Sequence, residues 1–188
     1  MKLTLRGSRR LIVGAALACG ALVLPTVALT ASSASGAPAT SRNCSAASTE
    51  VWAAVEGNGT AGTIYYELEF SNVGSTVCTL RGYPDVWAIS RSGTEIGRPA
   101  SHRGSPTTVT LQPGATSHAL LGVVDPGALC GSPGVTAAGL KVVPPGQRPL
   151  PGEGDEVEPF SVQVCPNESS MNVHPVHSGT GIPNYTFS

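Results

Sequence analysis

Ile64-Tyr65-Tyr66-Glu67-Leu68-Glu69-Phe70 alternates with a period of two. An extended chain points successive side chains to opposite faces, so Ile64, Tyr66, Leu68 and Phe70 share an apolar face while Tyr65, Glu67 and Glu69 share the other. This is a strand with one side on a core. Upstream, Val51, Ala53 and Val55 alternate with Trp52 and Ala54, and Gly57-Asn58-Gly59-Thr60-Ala61-Gly62 supplies the turn between the two runs. Downstream come Val86–Ser90, Thr94–Ile96, Thr107–Leu111, Ser117–Val124, Leu140–Val143, Phe160–Cys165 and Met171–Val176, separated by Gly- and Pro-bearing turns. Eight or nine short strands of this kind predict an all-β, immunoglobulin-like antiparallel β-sandwich. A single domain is expected over 40–188, with its core at about 44–178 and a flexible tail from Gly179.

Composition supports that reading. The chain has 23 Gly and 16 Pro among 188 residues, only 12% charged residues and 40% hydrophobic ones. Gly disfavours a helix interior and Pro removes a backbone donor, so a helical bundle is excluded while a packed core is not. Residues 1–39 are set apart. Lys2, Arg6, Arg9 and Arg10 precede an apolar run from Leu11 to Leu24, and Ala37-Pro38-Ala39 offers a small-x-small cleavage site. This reads as a signal peptide. Ser8-Arg9-Arg10 leaves the twin-arginine route open beside general secretion. Ala16-Leu17-Ala18-Cys19 only loosely matches a lipoprotein box, because the residues after Cys19 stay hydrophobic. No second apolar run approaches the roughly 20 residues a bilayer demands, so no membrane span is expected after leader cleavage. The leader removes four of the eleven basic residues and none of the twelve acidic ones, which leaves a net charge of −5. An acidic chain with seven basic residues is a poor tracker of phosphates, so nucleic acid is excluded as a partner.

Four cysteines remain, Cys44, Cys78, Cys130 and Cys165, and in an exported chain they imply two disulfides. Cys44 and Cys78 flank the first hairpin, and Cys130 and Cys165 flank the Pro144–Gly154 turn region. Spacing therefore favours Cys44 with Cys78 and Cys130 with Cys165, while the two other connectivities stay open.

Chemistry is harder to find. Gly57–Gly62 spells the G-x-G-x-x-G string, but a strand follows it instead of a helix, so it reads as a turn. His174 and His177 sit three apart and face opposite sides of an extended chain. A metal would need three or four of His102, His118, His174 and His177 to converge, so they read as loop histidines. Glu67 and Glu69 lie side by side and read as the solvated face of an edge-facing strand rather than a hydrolytic pair. No Gly-x-Ser-x-Gly elbow occurs, and pairing leaves no free thiol in the mature chain. No catalytic residue, metal ligand or cofactor is expected. Cys78–Trp87 concentrates an arginine and two large aromatics, so Arg81, Tyr83 and Trp87 form the candidate partner-binding patch. The competing reading has Tyr83 and Trp87 as a structural corner over the first disulfide.

The segments Phe70-Ser71-Asn72-Val73-Gly74, Cys78-Thr79-Leu80-Arg81-Gly82-Tyr83-Pro84 and Leu111-Gln112-Pro113-Gly114 together resemble a family of exported actinobacterial proteins, domain of unknown function 4232. Cys130, Val142-Val143-Pro144-Pro145-Gly146, Cys165 and Val173–Val176 continue the resemblance over about residues 44–178. It implies a β-sandwich outside the cytoplasm, secreted or attached to the envelope, and supplies no site residues. The expected function is a non-catalytic binding module for a protein, wall polymer or small ligand. A protease inhibitor presenting the Pro-rich 144–159 loop, or a hydrolase with a composite site, are the alternatives.

Overall fold

In the computed structural model, which describes residues 42–54, 56–131, 133–147, 155–157 and 159–179, the alternating segment forms the longest strand. In chain order the strands are β1 (Arg42–Asn43), β2 (Thr49–Ala53), β3 (Asn58–Thr60), β4 (Thr63–Asn72), β5 (Cys78–Arg81), β6 (Asp85–Ile89), β7 (Glu95–Ile96) and β8 (Ser101–His102). There follow β9 (Thr108–Leu111), β10 (Thr116–Val124), the short helix α1 (Pro126–Leu129), β11 (Val135–Ala137), β12 (Gly139–Val143), β13 (Asp155–Val157), β14 (Val162–Val164), β15 (Met171–Val173) and β16 (His177–Ser178). Every expected strand lies where its periodicity placed it. The additional ones are two to four residues long, too short to show a period.

The largest sheet has the order β2-β4-β10-β15-β8, with β3 added to β4 and β16 to β10. Three smaller sheets, β1-β5-β9, β13-β12-β6-β7 and β11-β14, are formed by the other strands among the described residues. Leu68 and Phe70 of β4, Leu121 of β10 and Val173 of β15 meet Leu80, Val86, Leu140, Val142 and Val164 of the smaller sheets in one buried cluster. Each such side chain stabilises the fold by about 1.5–3 kcal/mol. The all-β sandwich therefore holds, with two departures from a purely antiparallel plan: β1 runs parallel to β5, and β8 runs parallel to β15. The described residues belong to one unit, Ala39–Ser188. The leader at 1–39 and the tail beyond Gly179 lie outside the described residues, and none of the described helices is long and apolar enough to cross a membrane.

Both favoured disulfides are present, Cys44–Cys78 and Cys130–Cys165. The second closes nested hairpins, since Val135 faces Val164 and Leu140 faces Val157 inside it. The first closes the β2–β4 hairpin from beyond the end of its ladder, as the spacing predicts. The β2–β4 ladder ends at Thr49 and Asn72, after which the chain turns into β5, and Cys44 follows β1 along a parallel pairing with Arg42 opposite Cys78. The expected 144–159 loop is only partly a loop: Pro144 and Pro145 are buried and Asp155–Val157 pairs with β12. Residues 148–154 and 158 lie outside the described residues.

The turn between β3 and β4 is tight. Thr60 faces Thr63, and the two residues between them, Ala61 and Gly62, have φ of 47° and 83°. A two-residue hairpin turn with both φ values positive favours Asn-Gly, and an alanine there brings its Cβ against the backbone. Ala61→Asn is expected to raise stability by roughly 0.5–1 kcal/mol in chemical denaturation; a loss of stability would refute this account of the turn. Each disulfide closes a loop of 34 or 35 residues. Replacing both Cys44 and Cys78 by Ala should lower unfolding stability by about 3–4 kcal/mol. Peptide mapping without reduction should recover the two pairs, and a Cys44–Cys165 peptide would contradict the structure.

Candidate functional site

A cleft of about 700 Å³ opens at the β3–β4 hairpin, where Thr63 and Ile64 of β4 pair with Val124 and Val123 at the end of β10. One wall is the hairpin, through Gly59, Ala61, Thr63 and Ile64; the other is Pro126 of α1, Thr136 of β11, and Ser161, Val162 and Gln163 at β14. Local chemistry fixes both walls. Asp125 accepts a hydrogen bond from the Gly127 amide at 2.7 Å and caps α1, with Pro126 at the first helical position, where its missing donor is harmless. The Cys130–Cys165 bridge then ties the end of α1 to the end of β14, holding that wall from both sides. Tyr66 also lines the cleft, its ring edge-on to Phe160 with centroids 4.8 Å apart. Burial raises the Tyr66 phenol above its ordinary pKa, so it stays a neutral hydrogen-bonding group there. Ile64, at the outer end of the alternating face, lines this cleft and is exposed, unlike Leu68 and Phe70. The lining is aliphatic and aromatic with a few hydroxyl and amide groups, and Asp125, its carboxylate, already serves as a cap.

The residues singled out in the sequence lie elsewhere. Tyr83 packs against the core, stacks on His102 with centroids 4.4 Å apart, and donates its hydroxyl proton to the Gly104 carbonyl. His102 Nε2 also lies 3.4 Å from an oxygen of Asp85. Trp87 sits under Lys141, whose Nζ is 5.4 Å from the ring centroid and 3.0 Å from Glu95. Arg81 is exposed at the end of β5. The aromatic members of the patch thus have partners within the chain.

The histidines separate into two groups. His174 is partly buried beside Arg103, and desolvation together with that charge holds its imidazole below the ordinary pKa. His177 points to a different neighbourhood. It pairs with His118 across β16 and β10, and the two rings lie 6.1 Å apart. His118 in turn faces Glu69 across β4, and its Nδ1 lies 2.7 Å from Glu67 and 3.9 Å from Glu69. The reading of Glu67 and Glu69 as a solvated face of an edge-facing strand is corrected here. β4 is an interior strand between β2 and β10, and the two carboxylates flank a buried histidine. The i, i+2 spacing showed that they share a face, but only the strand register could show what stands opposite them.

Comparison with curated proteins and with solved structures gives no match. Comparison with known families matches residues 44–177, most of the chain, to the one described as Domain of unknown function (DUF4232). The cysteine pairs and the Leu80–Pro84 turn lie inside that span, and the chain belongs to this family.

Proposed function

We propose that this chain is an exported, non-catalytic binding module whose ligand seats in the cleft between the β3–β4 hairpin and the α1, β11 and β14 wall. The observation that carries the reading is the cleft itself. Its volume of about 700 Å³ lies within the roughly 300–1,000 Å³ of sites that bury a small molecule or a short polymer segment. Its lining offers apolar surface with a few orienting hydroxyl and amide groups, which suits recognition. Among the described lining residues there is no histidine or cysteine to act as base or nucleophile, which favours binding over a hydrolase. The inhibitor alternative depends on the 144–159 segment, of which residues 148–154 and 158 lie outside the described residues.

Export is supported by the basic and apolar leader pattern of residues 1–39 and by the two disulfides, which form and persist in oxidising compartments. On this reading the chain works outside the cytoplasm, free or attached to the envelope, and binds a protein, a wall polymer or a small ligand.

Thr136 is exposed on the cleft wall, and a tryptophan at that β-strand position would fill the cleft without disturbing the core. Captures from the source organism's medium and envelope extract with the wild-type chain and with Thr136→Trp as baits test the proposal. A ligand held by the wild type and weakened about tenfold or more in the variant, a change of at least about 1.4 kcal/mol, supports it. Equal capture by both proteins would place binding elsewhere.

A further inference from the structure

The outer face of the seven-stranded sheet carries a second cluster, separate from the cleft. We propose that Glu67, Glu69, His118 and His177 form a binding site for one divalent transition ion of the zinc and copper class. Ligand atoms of Glu67, Glu69 and His118 all lie within 4.8 Å of one another. Bonds of about 2.0–2.2 Å to a shared ion would place its ligands about 3–4 Å apart, so small side-chain rotations close this cluster around one.

The histidine supplies an argument the carboxylates alone would not. His118 is only 3% exposed, and its Nδ1 has no aligned hydrogen bond even though a Glu67 oxygen approaches to 2.7 Å. The imidazole is thus held against a carboxylate at ion-pair distance without a directed hydrogen bond to it. A metal ion bound by the imidazole and the carboxylates, with the His118–Glu67 contact opening from 2.7 Å to admit it, would give that nitrogen a directed bond. His177 stands opposite His118 in the ladder, its ring tilted 32° to that of His118 and its Nδ1 3.4 Å from the Ser178 carbonyl, and a side-chain rotation toward His118 would make it a fourth ligand.

The donor set indicates the ion. Calcium and magnesium prefer all-oxygen shells, whereas imidazole combined with carboxylate suits zinc and copper. The side chain of Glu69 is 44% exposed and that of Glu67 is 23% exposed, which leaves a path from solvent to the buried imidazole. Three of the four residues stand on β4 and β10, the most extensively paired strands, so the ligands are held by backbone rather than by a loop.

The test is calorimetric titration of the tag-free, chelator-stripped chain with zinc chloride. One ion per chain is expected, with affinity reduced about tenfold or more in Glu69→Gln and in His177→Gln, both at the accessible side of the site. Near-UV circular dichroism checks that these variants fold. Paramagnetic resonance of the Cu²⁺-loaded wild type should show coupling to imidazole nitrogen, and that coupling should diminish in His177→Gln. The site is overturned if the wild type binds no stoichiometric ion, if both variants bind as tightly as the wild type, or if the Cu²⁺ spectrum lacks imidazole coupling. Any of these results would leave the cluster as an ion pair between His118 and its carboxylates.

Discussion

Pairing between β4 and β10 is the constraint on which the rest of the molecule depends. The ladder runs unbroken from Thr63 opposite Val124 to Ser71 opposite Thr116. A register slip of one residue would turn Leu68 and Phe70 to the outer face and bring Glu67 and Glu69 into the core, so the hydrophobic pattern tolerates a single register. Strand β10 is buried along both faces. On one, Ala119, Leu121 and Val123 join the core. On the other, His118 and Leu120 are buried, and the ring of Tyr65 and the amide of Asn172 lie over Gly122 so closely that a Cβ there would meet them at 2.9 Å. That side of the sheet is consequently a packed polar surface.

Both proposed sites derive from this ladder. Its end, where Thr63 and Ile64 face Val124 and Val123, forms part of the cleft. Its middle, where Glu67 and Glu69 face Leu120 and His118, forms the polar cluster. The disulfides act at the periphery. Cys44–Cys78 fastens the β1–β5 edge, and Cys130–Cys165 holds the second wall of the cleft against β14. Ladder and disulfides together make rigid scaffolding, which suits recognition by preformed surfaces more than by moving lids.

How much of this was legible in the sequence follows from what each signal reports. Alternation reports one face at a time, so the run from Ile64 to Phe70 revealed the strand and its buried side. It also revealed that Glu67 and Glu69 are neighbours. Placing β4 in the interior of the sheet needed its partners on both sides, and no local pattern carries those. The same limit hid the histidines. His118 is remote from His177 in sequence and meets it only through the β10–β16 register. For the first disulfide, spacing identified the partners on either side of the β2–β4 hairpin, whereas the parallel β1–β5 pairing beside them, two residues long, leaves no periodic trace. The cleft was out of reach for a similar reason, since its walls come from four separate stretches of chain between Gly59 and Gln163.

The most direct test of the account is native-state hydrogen exchange of backbone amides, resolved by residue. If the β4–β10 ladder is the structural spine, the amides of Tyr66, Leu68, Phe70, Ala119 and Leu121 exchange only through global unfolding and are the slowest in the chain. Those of the two-residue strands Glu95–Ile96 and Ser101–His102 exchange much faster, through local opening. Comparable exchange rates in the two groups would contradict the central place given to this ladder.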